Sequence, residues 1–238
     1  WDSWLPVGDD TALRWSLGAF ASLLPEEAAF PTAEVVTEVD ARKDAGDLNF
    51  TARITGFSDF GEASTLQLGA SARAIPDYSV TDEVNSLGET GLDSTVFGLD
   101  LTYGWVDETG TKRLTIGGEA LVSGGDNGFQ VDDPDTTPGT GDETLTVLDD
   151  AVFGYYAFAD YAWDRFHSAG AQFSSAELPD APASDVSEFE LYYTHWFSEY
   201  HRVRFVVSAL EDESSDDALR IALQYTGIVG AHGHGINW

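Results

Sequence analysis

Leu48-Asn49-Phe50-Thr51-Ala52-Arg53-Ile54-Thr55 alternates apolar and polar residues without a break. Successive side chains of a β-strand point to opposite faces, so this stretch is a strand with one oily and one polar face. The same rhythm recurs outward along the chain. Leu66, Leu68, Ala70 and Ala72 alternate with Gln67, Gly69, Ser71 and Arg73. Phe97, Leu99, Leu101, Tyr103 and Trp105 alternate with Gly98, Asp100, Thr102 and Gly104. Near the C-terminus Leu219, Ile221, Leu223 and Tyr225 alternate with Arg220, Ala222, Gln224 and Thr226.

Carried through the sequence, the pattern predicts about eleven strands, near 11–24, 33–43, 47–58, 63–76, 94–107, 111–124, 149–163, 165–178, 186–197, 201–212 and 216–229. Most are longer than the ~5–6 residues of a globular strand and match the ~9–11 that a tilted strand needs to cross a bilayer. The N-terminal segment Trp1 to Asp10, short and marked by Pro and Gly, is not assigned a strand. The expected fold is all-β, an antiparallel up-and-down transmembrane β-barrel in which residues 1–238 form a single outer-membrane domain.

Connection lengths support this reading, since such barrels have short periplasmic turns and longer extracellular loops. The long links, Pro76 to Ser94, Gly124 to Asp149 and Ala176 to Val186, alternate with compact turns at Asp107 to Thr111, Trp163 to Arg165 and Phe197 to His201. Two links break the contrast, a short outer turn at Asp44 to Asp47 and a medium inner one from Leu24 to Ala33. Trp105, Trp163, Trp196 and Trp238 fall at the ends assigned to the periplasm, where an amphipathic ring suits the membrane interface.

Composition narrows the function. The net charge is −31, with 42 acidic residues against 11 basic ones, which excludes a nucleic-acid partner because phosphate neutralisation needs clustered Lys and Arg. So acidic a chain, with only Lys43 and Lys112 as lysines, also suits a saline (halophilic) habitat. There is no Cys, so neither a disulfide framework nor a Cys-ligated zinc is available. No apolar run approaches the length of a membrane helix, so a membrane location demands a barrel.

The charged residues of the polar phase are the candidate site. Arg14, Arg53, Arg73, Arg202, Arg204 and Arg220 all lie on it, and so do Glu34, Glu38, Asp40, Asp100, Glu119, Glu188 and Glu190. In a barrel these positions face the lumen, where opposed charged walls orient polar solutes and set ion preference. The same residues could instead be structural ion pairs filling a closed interior, in a barrel that anchors or partners another surface protein. A soluble acidic β-protein is the third reading. No cofactor is expected, and no enzyme, since there is no G-x-S-x-G elbow and His167, His195 and His201 lie near the turns, His195 beside Trp196. His232 and His234 form a weak His-x-His metal candidate. The acidic loop with Asp126, Asp132, Asp133, Asp135 and Asp142 lacks a calcium-loop pattern and reads as a solvated face.

The chain closes on Gln224-Tyr225-Thr226, then Gly230-Ala231-His232-Gly233-His234, and ends on Trp238. This resembles the last strand of a group of porin-like Gram-negative outer-membrane proteins, some labelled zinc-regulated or TonB-linked receptors. Their closing strand ends in Gln-Tyr-Thr, a small spacer, Gly-Ala-His and a terminal aromatic. The terminal Trp238 in place of Phe and the extra His234 depart from that pattern. The resemblance implies an outer-membrane location, contact with the lipid bilayer, a channel function, and a homo-oligomer or surface complex as possible assembly. It also implies that the barrel begins upstream, so that this chain is its C-terminal part and the complete barrel has twelve or more strands. No plug domain or energy-coupling box is visible in the sequence.

Overall fold

The computed structural model describes residues 1–8, 10–21, 28–29, 36–38, 48–82, 87–126, 128–132, 144–178, 184–198, 200–213 and 217–227. Its strands are β1 Asp2–Pro6, β2 Thr11–Ala21, β3 Ala28–Ala29, β4 Val36–Glu38, β5 Leu48–Phe60, β6 Ser64–Asp82, β7 Leu87–Val106 and β8 Arg113–Gly125. They continue with β9 Gly128–Asp132, β10 Thr144–Leu148, β11 Val152–Ala162, β12 His167–Leu178, β13 Ser184–Ser198, β14 His201–Asp212 and β15 Ala218–Gly227.

Eleven of these strands follow one antiparallel up-and-down path, β1-β2-β5-β6-β7-β8-β11-β12-β13-β14-β15. Every step joins sequence neighbours on the path, so the ladder hydrogen bonds are satisfied by local pairing of consecutive strands. Among the described residues no ladder joins the edge strands β1 and β15.

Three expectations change. The predicted strand at 33–43 is not on the path, because β2 pairs directly with β5, from Thr11 opposite Ser58 to Ala21 opposite Leu48. Of that segment only β4 is described, and it pairs the far end of β6. The eleventh strand is instead β1, from the segment given none, held to β2 in register from Asp2 opposite Ser16 to Pro6 opposite Ala12. A chain of five residues ending in Pro can serve there because β1 is an edge, where Pro has no ladder bond to lose.

The second change follows from the first. The path passes from β1 to β2, β5 to β6, β7 to β8, β11 to β12 and β13 to β14 at one end of the sheet, always within a few residues, and at the other end two of its passages, β2 to β5 and β8 to β11, take many more residues while β6 to β7, β12 to β13 and β14 to β15 are short. Of the two links that broke the contrast, Asp44 to Asp47 lies outside the described residues, and of Leu24 to Ala33 only residues 28–29 are described. Third, the segment from Pro76 to Ser94 is not a free loop. β6 and β7 run on as a hairpin arm past a bulge where register shifts between Ile75 and Tyr78. The bulge places Asp77 at φ 50° and Gly91 at φ 76°, the left-handed region that a glycine enters without Cβ strain.

Burial is inverted relative to a soluble domain. Phe50, Ile54, Leu68, Phe97, Leu99, Phe189, Leu191, Phe205, Leu219, Ile221 and Leu223 are all exposed, Leu99 by 68% and Leu223 by 74%. Cross-strand register puts them in continuous rows on one face: Ala70, Leu99 and Ala120 lie opposite one another, as do Tyr193, Phe205 and Leu223. The buried polar residues Asn49, Thr55, Ser168, Thr194 and Ser208 all belong to the other phase. Side chains therefore crowd one another on the polar face and stand free on the apolar face, as they do when a sheet curls with its polar face inward.

A small apolar cluster caps the inner face at the long-link end. Ile75, Tyr78 and Leu92 are buried together, with Val147 of the β9–β10 hairpin packed on them. Ile75 pairs with Ser94 and Tyr78 with Leu92, all on the polar phase. The hairpin consequently lies over the inner face. The Tyr78 hydroxyl donates to the Asp126 carbonyl and ties the arm to the start of that link.

Candidate functional site

The inner face holds two charged groups of different character. The first spans β5 to β11. Arg53 Nη2 lies 2.7 Å from Asp100 Oδ2, and Gln67 Nε2 donates to Asp100 Oδ1 at 3.4 Å. Asp100 is directly opposite Glu119, and Glu119 is directly opposite Tyr156. Two carboxylates facing each other on one ladder repel, and the Arg53 guanidinium relieves that by reaching across to Asp100. At the N-terminal edge Arg14 makes a two-point contact with Asp2, at 3.0 and 2.9 Å.

The second group spans β11 to β15. Arg204 Nε donates to Thr194 Oγ1 at 3.0 Å, and Thr194 is fully buried. The Arg204 guanidinium carbon stands 4.2 Å from the centre of the Tyr192 ring, and that of Arg202 stands 4.9 Å from Trp196. Tyr192 itself leans across Gly170, where any Cβ would collide with the phenol and with the Ala159 carbonyl. That bare backbone is what lets the ring lie flat beneath Arg204. Asp160 accepts from Ser168 Oγ at 3.3 Å. Arg220 Nη1 is 3.9 Å from Glu188 Oε1.

Of the sequence-predicted residues, Arg14, Arg53, Arg73, Arg202, Arg204, Arg220, Asp100, Glu119 and Glu190 all pair within the polar rows. They form separate groups and not one ring. Glu38 is in β4, opposite Thr81 beyond the bulge, and off the main path. Glu34 and Asp40 lie outside the described residues, as do Asp133, Asp135, Asp142, His232, His234 and Trp238. Among the described residues no group of three or more His, Asp and Glu side chains is placed to hold a metal ion.

The aromatic rim is built differently from the expectation. Trp105 is on the apolar side of β7, and Trp163, just past the end of β11, stacks 5.9 Å from His167 and 6.1 Å from Tyr193. Trp196 is on the inner row, opposite Arg202, and serves as that side chain's seat. His195 accordingly packs on His167 at 4.8 Å and on Phe197 at 4.7 Å, with Trp196 on the opposite face. Both Asp164 oxygens lie 2.9 Å from His167 Nδ1, and this bond holds the Asp164 carboxyl below the ordinary carboxylate value. Sequence reading missed Tyr192, Thr194 and Asp160 as site residues, and it assigned Trp196 to the membrane interface where the register puts it on the inner row. The signal was present, since 192, 194 and 196 share the parity of Glu188 and Glu190.

No known protein family and no curated protein matches the chain. Two solved structures are similar in shape. A structure titled CymD monoaromatic hydrocarbon channel is 11% identical, with TM-score 0.47, covering 98% of this chain and 72% of that one. OmpT, an outer membrane protein of Vibrio cholerae folded in vitro, is also 11% identical, with TM-score 0.45, covering 95% of this chain and 83% of that one.

Proposed function

We propose that the protein is an outer-membrane β-barrel channel that passes small polar solutes passively. The observation that carries this reading is the inverted burial: a belt of exposed Leu, Ile and Phe on one face, and packed polar and charged residues on the other. A contiguous apolar surface of this extent is unfavourable in water and matched to hydrocarbon. The short turns then face the periplasm and the long links face outward, with the β9–β10 hairpin lying over the mouth. Among the described residues the outer edges of β1 and β15 have no ladder partner, and in a bilayer such edges must be hydrogen-bonded, so the channel closes by pairing them with each other or with further strands. The resemblance of the closing segment to porin-like outer-membrane proteins agrees with this, and the acidic chain, at −31, suits a saline exterior.

One observation favours a second reading. The Arg53, Gln67 and Asp100 contacts across β5, β6 and β7 resemble the filling of a closed lumen, which would make the barrel an anchor or partner of a surface complex. Conductance in planar bilayers separates the two. Stepwise current on insertion supports the channel, and insertion without current supports the filled barrel. A chain that remains monodisperse in detergent-free buffer removes both.

A further inference from the structure

Arg14, Arg53 and Arg220 each have a carboxylate within 4.0 Å. Among the described residues Arg202 and Arg204 have none, although they stand two positions apart on the same face of β14. Asp160, on the inner row of β11, accepts from Ser168 Oγ at 3.3 Å. The buried Arg202 Nε has no hydrogen-bond partner among the described residues. A buried, unsatisfied guanidinium nitrogen is costly, and two adjacent permanent cations repel, so the arrangement favours an anion between them.

The surroundings are built for that role. Trp196 and Tyr192 hold the two guanidinium groups against ring faces, and the fully buried Thr194 hydroxyl fixes Arg204 by its Nε. A guanidinium held in this way keeps its terminal N–H donors free, and little rotamer freedom is left to lose on binding. The pair sits beside the turn at 199–200, at the end of the inner face opposite the β9–β10 hairpin. We propose that Arg202 and Arg204, seated on Trp196 and Tyr192, form an oxyanion subsite at the inner mouth of the channel that takes the carboxylate or phosphate group of a small passing solute. This rests on the channel reading and names its solute class.

The test uses the full chain in planar bilayers, with chloride as the background anion and succinate or inorganic phosphate added as probes. Wild-type current should fall saturably with one or both probes, and the more effective probe identifies the group recognised. In Arg202→Gln/Arg204→Gln the half-blocking concentration should rise at least about tenfold, as expected for losing charge-assisted hydrogen bonds. Arg202→Lys/Arg204→Lys guards against a misfolded variant: it keeps both charges but loses the planar fork, and should block at a concentration between the other two. Heat-modifiable gel mobility reports folding of each variant. A wild-type channel that conducts but is unaffected by either probe overturns the subsite, and so does block that persists in the folded glutamine variant. Absence of any wild-type current overturns the channel reading itself, which is a different result.

Discussion

Leu99 provides the sharpest test of which face meets lipid. It is 68% exposed, and its ladder neighbours Ala70 and Ala120 are small, so replacing it disturbs little local packing. Trp105 lies six residues along β7. At ~3.4 Å per residue and a tilt of ~40°, Leu99 stands ~15 Å from the level of Trp105, near the middle of an apolar band ~25 Å tall. Leu99→Arg should then cost about 2–4 kcal/mol of folding free energy in lipid. At ~1.4 kcal/mol per decade this is a fall of about 30- to 700-fold in the folding equilibrium. Leu114→Arg, directly opposite Trp105 at the rim, should cost about 0–1 kcal/mol. If the apolar face met water, an exposed substitution at Leu99 would change stability by only about 0.5 kcal/mol. Reversible urea titration into lipid vesicles, followed by tryptophan fluorescence, measures both variants. Equal and small effects at Leu99 and Leu114 would refute the lipid-facing assignment.

Replacing the β9–β10 hairpin, Gly128 to Leu148, by a short Gly-Ser link should raise single-channel conductance, because the hairpin lies over the inner face; unchanged conductance would place it clear of the pore. Gly170→Ala should push Tyr192 off its seat and destabilise the barrel by about 1–3 kcal/mol, read as a lower urea midpoint, since the new methyl meets both a side chain and a backbone carbonyl. Asp107 accepts from Thr109 Oγ1 and the Thr111 and Lys112 amides at 2.7, 2.7 and 2.8 Å, and these bonds, the Thr109 hydroxyl's foremost, hold its carboxyl below the ordinary value. A depressed folded value means the turn is stabilised above the ordinary carboxylate range and loses that stabilisation as pH falls through the folded value. Amide exchange at Thr111 and Lys112 should therefore show protection falling on acidification in the wild type and no such pH step in Asp107→Asn.

The two-residue alternation around Phe50 by itself determines most of the fold. A period-two pattern fixes which residues share a face, and strand pairing by sequence neighbours then fixes the rows. That is why the exposed belt through Leu99, Phe205 and Leu223 and the inner arginines were legible. The segment at 33–43 misled because alternation reports a capacity to form a strand, and not which partner it finds. In the structure β2 and β5 complete each other's ladder, from Thr11 opposite Ser58 to Ala21 opposite Leu48. The arm beyond Ile75 was hidden for a related reason, since a bulge at Asp77 and Gly91 breaks the phase without ending the pairing.

The inner face shows the same division. Periodicity places Arg53, Arg202, Arg204 and Arg220 on one face but is silent about reach, because long side chains choose partners across neighbouring strands. Only the tertiary structure paired Arg53 with Asp100 and Arg220 with Glu188, and left Arg202 and Arg204 on aromatic seats with no carboxylate within 4.0 Å among the described residues. Which face a residue occupies is a property of the strand and can be read from the chain. Which charge meets which depends on register, small gaps such as Gly170 and the competition among several acids, and those are settled only when all the strands stand side by side.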